Sequence, residues 1–506
     1  MKKLLEMSQL VTDFMGEKSL IHIFKRDKSD PKAYKLLEGI ITGKFKDDEE
    51  AANDLYSSTP ENKSYQMLKS RTREQMLSLL FTMNIEKRMK HSYQKALYSS
   101  SRNLIAARLL ILKNMKNVGV DYLRTAFYTA VKFDLTDIKL LSARQLRLHD
   151  TFTGKGKVMG KYNLIIKETH ELLKAEIEME EAKENLFVLL RNTSAPEKKL
   201  KEVVTESYKK ASEINKKFSS HTIKVDYFRI AVYYHHIFER HHDVIKVIEQ
   251  AEKYLQNHPV FINYAVVAEM ALQKLDTSLY IRDYKLGKES AEICRSIYNP
   301  GYLNWLIFLE YYFLLCLHTE NYEEAQKVFN DAVKHPKFSN YSSERLEKWK
   351  IFEAYLSYIL PESIKRKRFN ISRFLNEVPI FSKDKRGYNL SIIIAQIALL
   401  IKMGDFDKVM DKFDSLKSYA GRHVNRIRNP RSFYFVKMLL TLVRYDFDPE
   451  KTGEISHKFY EKLKASKIKS QGEIETLEVI PYDILWANLL DKLKIHFANH
   501  QLPQNV

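Results

Sequence analysis

The segment Asn321-Tyr322-Glu323-Glu324-Ala325, followed by Phe329, Ala332 and Pro336, has the spacing of a short amphipathic helix that closes a helical hairpin. Counted from Ala325, Phe329 falls four and Ala332 seven residues on, and Leu309, Tyr312, Phe313 and Cys316 line the preceding helix. The same phase returns at Val244, Ile248 and Ala251, after Phe228, Ala231 and Val232. It returns again at Val409, Phe413 and Leu416, after Ile393, Ile397 and Leu400. Anchors 244, 325 and 409 are 81 and 84 residues apart, so each gap holds two units of about 41 residues. Intervening hairpins over 261–298 and 345–378 complete five units across about residues 226–420. One such hairpin cannot bury its apolar face alone, so the five must stack on one another.

Composition agrees. Only 14 Gly and 12 Pro occur among 506 residues, which predicts long helices with short loops rather than a turn-rich β fold. The expected fold is all-α: an α-solenoid of stacked antiparallel helix hairpins. Residues 1–160 read as an N-terminal helical block. Within it, Asp47-Asp48-Glu49-Glu50 places negative charge in a first helical turn, and Thr136 and Asp137 suit a helix start. In 161–219, Ile165, Leu172, Met179 and Leu186 recur every seven residues, with Ala175, Ala182 and Leu189 three residues after the last three of them. Leu200, Val204, Ala211, Ile214 and Phe218 continue a matching seam beyond the turn 192–196. This predicts a long antiparallel, coiled-coil-like hairpin, either projecting as an arm, capping the first block, or packed within the array. Residues 220–425 hold the array, 426–497 capping helices (432–444, 453–465 and 482–497), and 498–506 a polar tail.

The tract 322–336 resembles tetratricopeptide-like helical repeats, a likeness that extends over about 200 residues. The helix-A signature of that family (Trp, Leu-Gly and Tyr) is missing, and the period is longer. The resemblance implies a non-enzymatic scaffold or adaptor that takes a protein or peptide partner in its groove, without a cofactor. Lys383-Asp384-Lys385-Arg386-Gly387-Tyr388-Asn389 and Ile480-Pro481-Tyr482-Asp483-Ile484-Leu485-Trp486 are similar to tracts of bacterial helical proteins of about 500 residues, a family with no activity to transfer.

Lys and Arg number 83 against 64 Asp and Glu, a formal net charge of +19. That excess makes RNA or DNA binding the alternative reading. The two cysteines, Cys294 and Cys316, stand among apolar residues and read as buried reduced thiols, which fits a cytoplasmic setting. Glu6 and Asp13 interrupt what would be a signal-peptide core after Lys2 and Lys3. The apolar run Leu390–Ile401 is too short to span a bilayer and contains Gln396, and Trp305–Leu317 contains Glu310, so no membrane partner is expected.

Candidate sites are basic. Arg422, His423, Arg426, Arg428 and Arg431 form one cluster beside Phe433 and Tyr434, and Lys365, Arg366, Lys367 and Arg368 another. Arg71, Arg73, Lys87, Arg88, Lys90, His91, Arg102 and Arg108 are a third group. Arginine pairs bidentately with anions, so these residues would suit a partner or anion surface; solvated helix ends are the plainer reading. His235, Glu239 and His242 lie at i, i+4 and i+7 and would offer a metal face, but the hairpin turn falls near 240–242 and breaks it. Gly154-Lys155-Gly156-Lys157-Val158-Met159-Gly160-Lys161 has the wrong spacing for a phosphate loop, and Tyr162 follows where Ser or Thr is needed. No small-molecule substrate and no catalytic constellation emerges.

Overall fold

The scarcity of glycine and proline translates into helix throughout. The computed structural model describes the chain apart from residues 27–29, 84, 90, 153–155, 192–196, 361–368, 378–387, 427–428, 467–477 and 502–506, and among the described residues there are 23 α-helices and no strand. Two compact units, Met1–Asn163 and Leu164–Val506, divide it. In the first are α1 (Lys2–Met15), α2 (Glu17–Arg26), α3 (Pro31–Ile41), α4 (Asp48–Tyr56), α5 (Lys63–Thr82), α6 (Ser92–Leu112), α7 (Lys116–Lys132) and α8 (Thr136–Phe152). A core of Leu20, Leu36, Leu37, Tyr65 and Leu68 joins α2, α3 and α5. Then α6, α7 and α8 pack in succession.

The second unit holds most of α9 (Gly156–Arg191), then α10 (Glu197–Lys217), α11 (His221–Ile237), α12 (His241–Asn257), α13 (Tyr264–Ile281), α14 (Tyr284–Ile297), α15 (Leu303–His318) and α16 (Tyr322–Val333). It continues with α17 (Ser343–Ile359), α18 (Ile371–Glu377), α19 (Tyr388–Met403), α20 (Phe406–His423), α21 (Pro430–Arg444), α22 (Pro449–Ala465) and α23 (Tyr482–Gln501). Successive helices pack on one another from α10 to α17 and from α19 to α23, and α17 packs on α19. The seam read from the heptads is buried at Met179, Ala182, Leu186, Val204 and Ala211, and Ile223 and Ile230 of α11 join it. The α9/α10 hairpin is therefore packed on the helix that follows it.

From α11 onward one recurrent turn closes five helix pairs among the described residues. A left-handed residue follows the first helix: Glu239 (φ 53°), Arg282 (54°), Glu320 (59°), Gly404 (74°) and Asp446 (51°). The next backbone N–H donates five residues back, from Arg240 to His235 O (2.9 Å), Asp283 to Ser278 O (3.0 Å), Asn321 to Cys316 O (2.8 Å), Asp405 to Leu400 O (3.1 Å) and Phe447 to Leu442 O (2.8 Å). That bond satisfies a carbonyl the helix end leaves free and reverses the chain at once. Positions 239, 282, 320, 404 and 446 are 43, 38, 84 and 42 residues apart, so the turns keep the period read from the apolar anchors. Aspartates then start the next helix, Asp283 accepting from Leu286 N (3.0 Å) and Asp405 from Lys408 N (3.4 Å).

One continuous core runs from α13 to α23. Trp349 sits among Phe313, Phe329, Phe338 and Phe352, at centroid distances of 5.9, 5.8, 6.2 and 5.3 Å. Helix α19 is buried on every face from Asn389 to Ile401. No helix among the described residues is long and apolar enough to cross a membrane.

The turn geometry gives a direct test. At Gly404 an added Cβ would be strained by the left-handed backbone and would lie 3.1 Å from His496 Cε1. Gly404→Ala is expected to cost about 1–2 kcal/mol, whereas Glu320→Gly, which relieves a left-handed non-glycine, should gain up to about 1 kcal/mol. Urea denaturation followed by circular dichroism measures both.

Candidate functional site

The described residues of the basic cluster of α20 and α21 divide between the surface and the interior. Arg422 and His423 are exposed at the end of α20, where Arg422 Nη2 donates to Ser418 Oγ (2.6 Å) and His423 packs on the Tyr419 ring at 4.7 Å. Arg426 is exposed and donates from Nε to Tyr434 Oη (3.2 Å). Arg431 faces the interior, 8% exposed. Arg428 and Lys365, Arg366, Lys367 and Arg368 lie outside the described residues. In the first unit Arg71 pairs with Asp30 (3.2 Å) and Arg102 with Glu86 (3.1 Å); Arg73 and Arg108 are exposed, and Lys87, Arg88 and Lys90 lie outside the described side chains. Gly154 and Lys155 also fall outside.

His235 ends up 3.9 Å from Asp243, Glu239 occupies the left-handed turn, and His242 is exposed in the next helix. Because α11 stops at Ile237, the three do not share a helix face. No group of three or more metal-ligating side chains occurs among the described residues. Cys294 and Cys316 are both buried, and burial pushes the Cys294 thiol up to about 12.

Arg431 instead organises a buried ion network. Its guanidinium has five N–H groups, and all are engaged. Nε and Nη2 fork onto Glu478 (2.9 and 2.6 Å), Nη2 also reaches Asp483 Oδ1 (2.9 Å), and Nη1 donates to the carbonyls of Leu463 and Ser466 (both 3.1 Å). Asp483, in the first turn of α23, takes a second fork from Arg282 at the end of α13, both bonds 2.9 Å. His318 Nε2, closing α15, donates to Glu478 O at 2.8 Å. The Phe435 and Tyr482 rings stack 4.3 Å apart. Burial would raise the Asp483 pKa, but Arg282 and Arg431 override it and hold the carboxyl well below the usual range. Its stabilising contribution is present above pH ~4 and is lost as the solution becomes more acid.

The helices α11, α13, α15 and α17 each carry a partly covered stripe at helical spacing, polar or aromatic apart from Ile307 of α15. It runs through Arg229 and Tyr233; Glu269, Gln273, Asp276 and Tyr280; Ile307 and Tyr311; and Arg345 and Lys348, all half-buried. Ion pairs stitch neighbours together. Lys183 reaches Asp226 (2.6 Å), and Arg229 links Asp226 (2.9 Å) to Glu269 (2.7 Å). On the next pair, Glu310 receives both Arg345 and Lys348 at 2.9 Å. Further along, the stripes of α15 and α17 become buried at Leu314, His318, Phe352 and Tyr355. The segment 478–483 contacts His318 at that end.

Asp276 breaks the pattern. Its Oδ1 is shielded from solvent with no hydrogen-bond partner, and Tyr280 bonds the carboxyl. Burial pushes its pKa up to about 7, against the pull of that bond. Its charge is in turn the largest influence holding the Tyr311 hydroxyl well above its ordinary value. Tyr233 Oη, 3.4 Å from Gln273 Nε2, is raised to about 12 by burial, then by Glu269 and Asp276. His236 of α11, 3.4 Å from Thr277 Oγ1, is held by burial down at about 4 and stays neutral. This stripe was not singled out in the sequence; the signal for it is the polar and aromatic spacing 269, 273, 276, 280 along one side of α13.

No family model, curated protein or solved structure matches this chain.

Two outcomes follow from these environments. Arg431→Ala should cost about 3–5 kcal/mol, because Glu478 and Asp483 would remain buried without their cation, while Arg426→Ala should change stability by less than about 0.5 kcal/mol. Chemical denaturation of both variants checks this contrast. Asp276 has a folded pKa above its unfolded value of 3.8, so it binds its proton more tightly when folded. Relative to Asp276→Asn, the wild-type protein should lose stability as pH rises from about 4 to about 7 and hold a constant deficit above that. Melting curves of the pair across pH should separate by several degrees at pH 8 and converge at pH 4.

Proposed function

We propose that residues 221–465 form a tetratricopeptide-like α-solenoid that acts in the cytoplasm as a binding module rather than an enzyme, holding a peptide segment of a protein partner along the inner row of α11, α13, α15 and α17. The observation that carries this reading is the half-open stripe. Tyr233, Gln273, Asp276, Ile307 and Tyr311 offer aromatic, apolar and hydrogen-bonding groups in a row, while α23 and the segment before it take up the far end of the same layer. The period of the left-handed turns supports a repeat array. A peptide is favoured over a nucleic acid because Arg229, Arg345 and Lys348 are each paired with carboxylates, which leaves little free positive charge on this face. Aromatic residues with polar tips are the side chains that anchor peptides in preformed grooves.

Selection of peptides from a random display library on the full-length protein tests the proposal. Enriched peptides should bind wild type and lose about tenfold or more in affinity on Ile307→Glu, with Arg422→Glu neutral. Failure to enrich any peptide, or binding indifferent to Ile307→Glu, would sink it.

A further inference from the structure

We propose that Asp276, with Tyr233, Tyr280 and Tyr311 around it, is a recognition site for a primary ammonium group carried by the bound peptide: a lysine side chain or a free amino terminus. The inference rests on the peptide-binding reading of the same face and supplies its chemistry.

Three observations lead there. First, the other charged groups of the stripe have partners within the fold. Glu269 has Arg229, and Glu310 has Arg345 and Lys348. Lys274, on the same helix, has Glu252 at 3.0 Å, and Arg282 has Asp483. Asp276 alone among these carboxylates has no cation among the described residues, and one of its oxygens has no partner at all. A buried carboxylate left in that state is destabilising, and a ligand cation is what would complete it. Second, the surroundings suit a cation and not an anion. Tyr280 bonds the carboxyl, the charge of Asp276 raises the hydroxyls of Tyr311 and Tyr233 on two other helices, and aromatic ring faces attract ammonium groups. The Tyr280 ring is held in place by stacking on His241 at 5.1 Å. Third, Asp276 belongs to a stripe whose residues Tyr233, Gln273, Ile307 and Tyr311 are only partly covered, so an ammonium group on a peptide lying along that stripe has to pass between these side chains to meet the shielded carboxylate oxygen.

The site also has a defined protonation range. The titratable and charged groups around Asp276 are Tyr280 on its own helix, Tyr233 and His236 on α11, His241 on α12 against the Tyr280 ring, and Tyr311 on α15, with Glu269, Glu310 and Arg345 next along the face. Tyr233 and Tyr311 are raised and His236 is lowered, so these three keep their charge between pH 5 and 8, and because His241 is also at the site the Asp276→Asn comparison is what isolates the carboxylate.

The test uses the full chain and n-butylammonium chloride, with sodium chloride at equal ionic strength as the reference. At pH 8 butylammonium should raise the melting temperature of wild type by a few degrees. The shift should vanish in Asp276→Asn, a variant of the same shape that removes only the charge. It should also shrink strongly at pH 5 in the unaltered protein, where Asp276 is protonated. Equal shifts in wild type and Asp276→Asn, no shift in either, or a shift undiminished at pH 5 would overturn the proposal. Blocked tripeptides then separate the two sources. Tighter binding of acetyl-Ala-Lys-Ala-amide than of its norleucine counterpart assigns the lysine side chain. Binding of Ala-Ala-Ala-amide but not its acetylated form assigns the amino terminus, and binding of neither charged form overturns the site. Display-selected peptides distinguish this inference from the broader one. If Ile307→Glu abolishes their binding and Asp276→Asn leaves it intact, the peptide reading stands and the ammonium site falls.

Discussion

The second unit depends on one guanidinium. Arg431 places all five of its N–H groups on acceptors from three parts of the chain: the Glu478 carboxylate ahead of α23, the Asp483 carboxylate in its first turn, and the Leu463 and Ser466 carbonyls at the end of α22. Taking such charges out of water is unfavourable unless geometry and hydrogen bonding are nearly complete. Here they are, because Arg282 brings a second fork to Asp483 from α13, 201 residues away in sequence. The network fixes where α23 begins. Leu485, Leu489 and Leu493 follow at full burial, and α23 packs against α19, α21 and α22. Helix α19 has no face left for water, which is why its residues 389–401 are apolar with few exceptions.

What the sequence reveals divides along a physical line. The hairpins are legible because their determinants are local: Ala325, Phe329 and Ala332 lie on one helix stripe, and each turn is closed by a bond spanning five residues. Thus α13, α14, α17, α20, α21 and α22 fall where apolar spacing puts them. The closure by α23 is not local, and a sequence shows charge without partners. Arg431 looks like Arg422 and Arg426 until Glu478 and Asp483 are brought to it. One signal was present. The run Leu390–Ile401, too short for a bilayer, is apolar around the whole helix, and a repeat helix with no solvent face must be covered by something further along the chain.

The same division explains why the open stripe was hard to see. Glu269, Gln273, Asp276 and Tyr280 read as the ordinary polar side of a helix. Only the adjacency of α11 and α13 pairs Arg229 with Glu269 and leaves Asp276 without a cation among the described residues. Net charge carries no positional information for a related reason. An excess of +19 says nothing about where free cations are, and the cations on this stripe are matched by carboxylates.

Buried titratable groups in this unit pull stability in opposite directions. Burial holds His221, His236 and His318 down at about 4, so each contributes stability that is present above the ordinary histidine value and lost as pH falls toward 4. These histidines have structural partners: His221 stacks on Phe261 at 4.6 Å, and His318 bonds Glu478. Asp276 works the other way, lowering stability over much of the same interval without an internal contact that requires its charge. A neutral asparagine would serve the fold better at that position. A residue that opposes the stability its neighbours build is the kind of local conflict that functional sites carry, and that conflict is the ground on which the ammonium proposal for Asp276 stands.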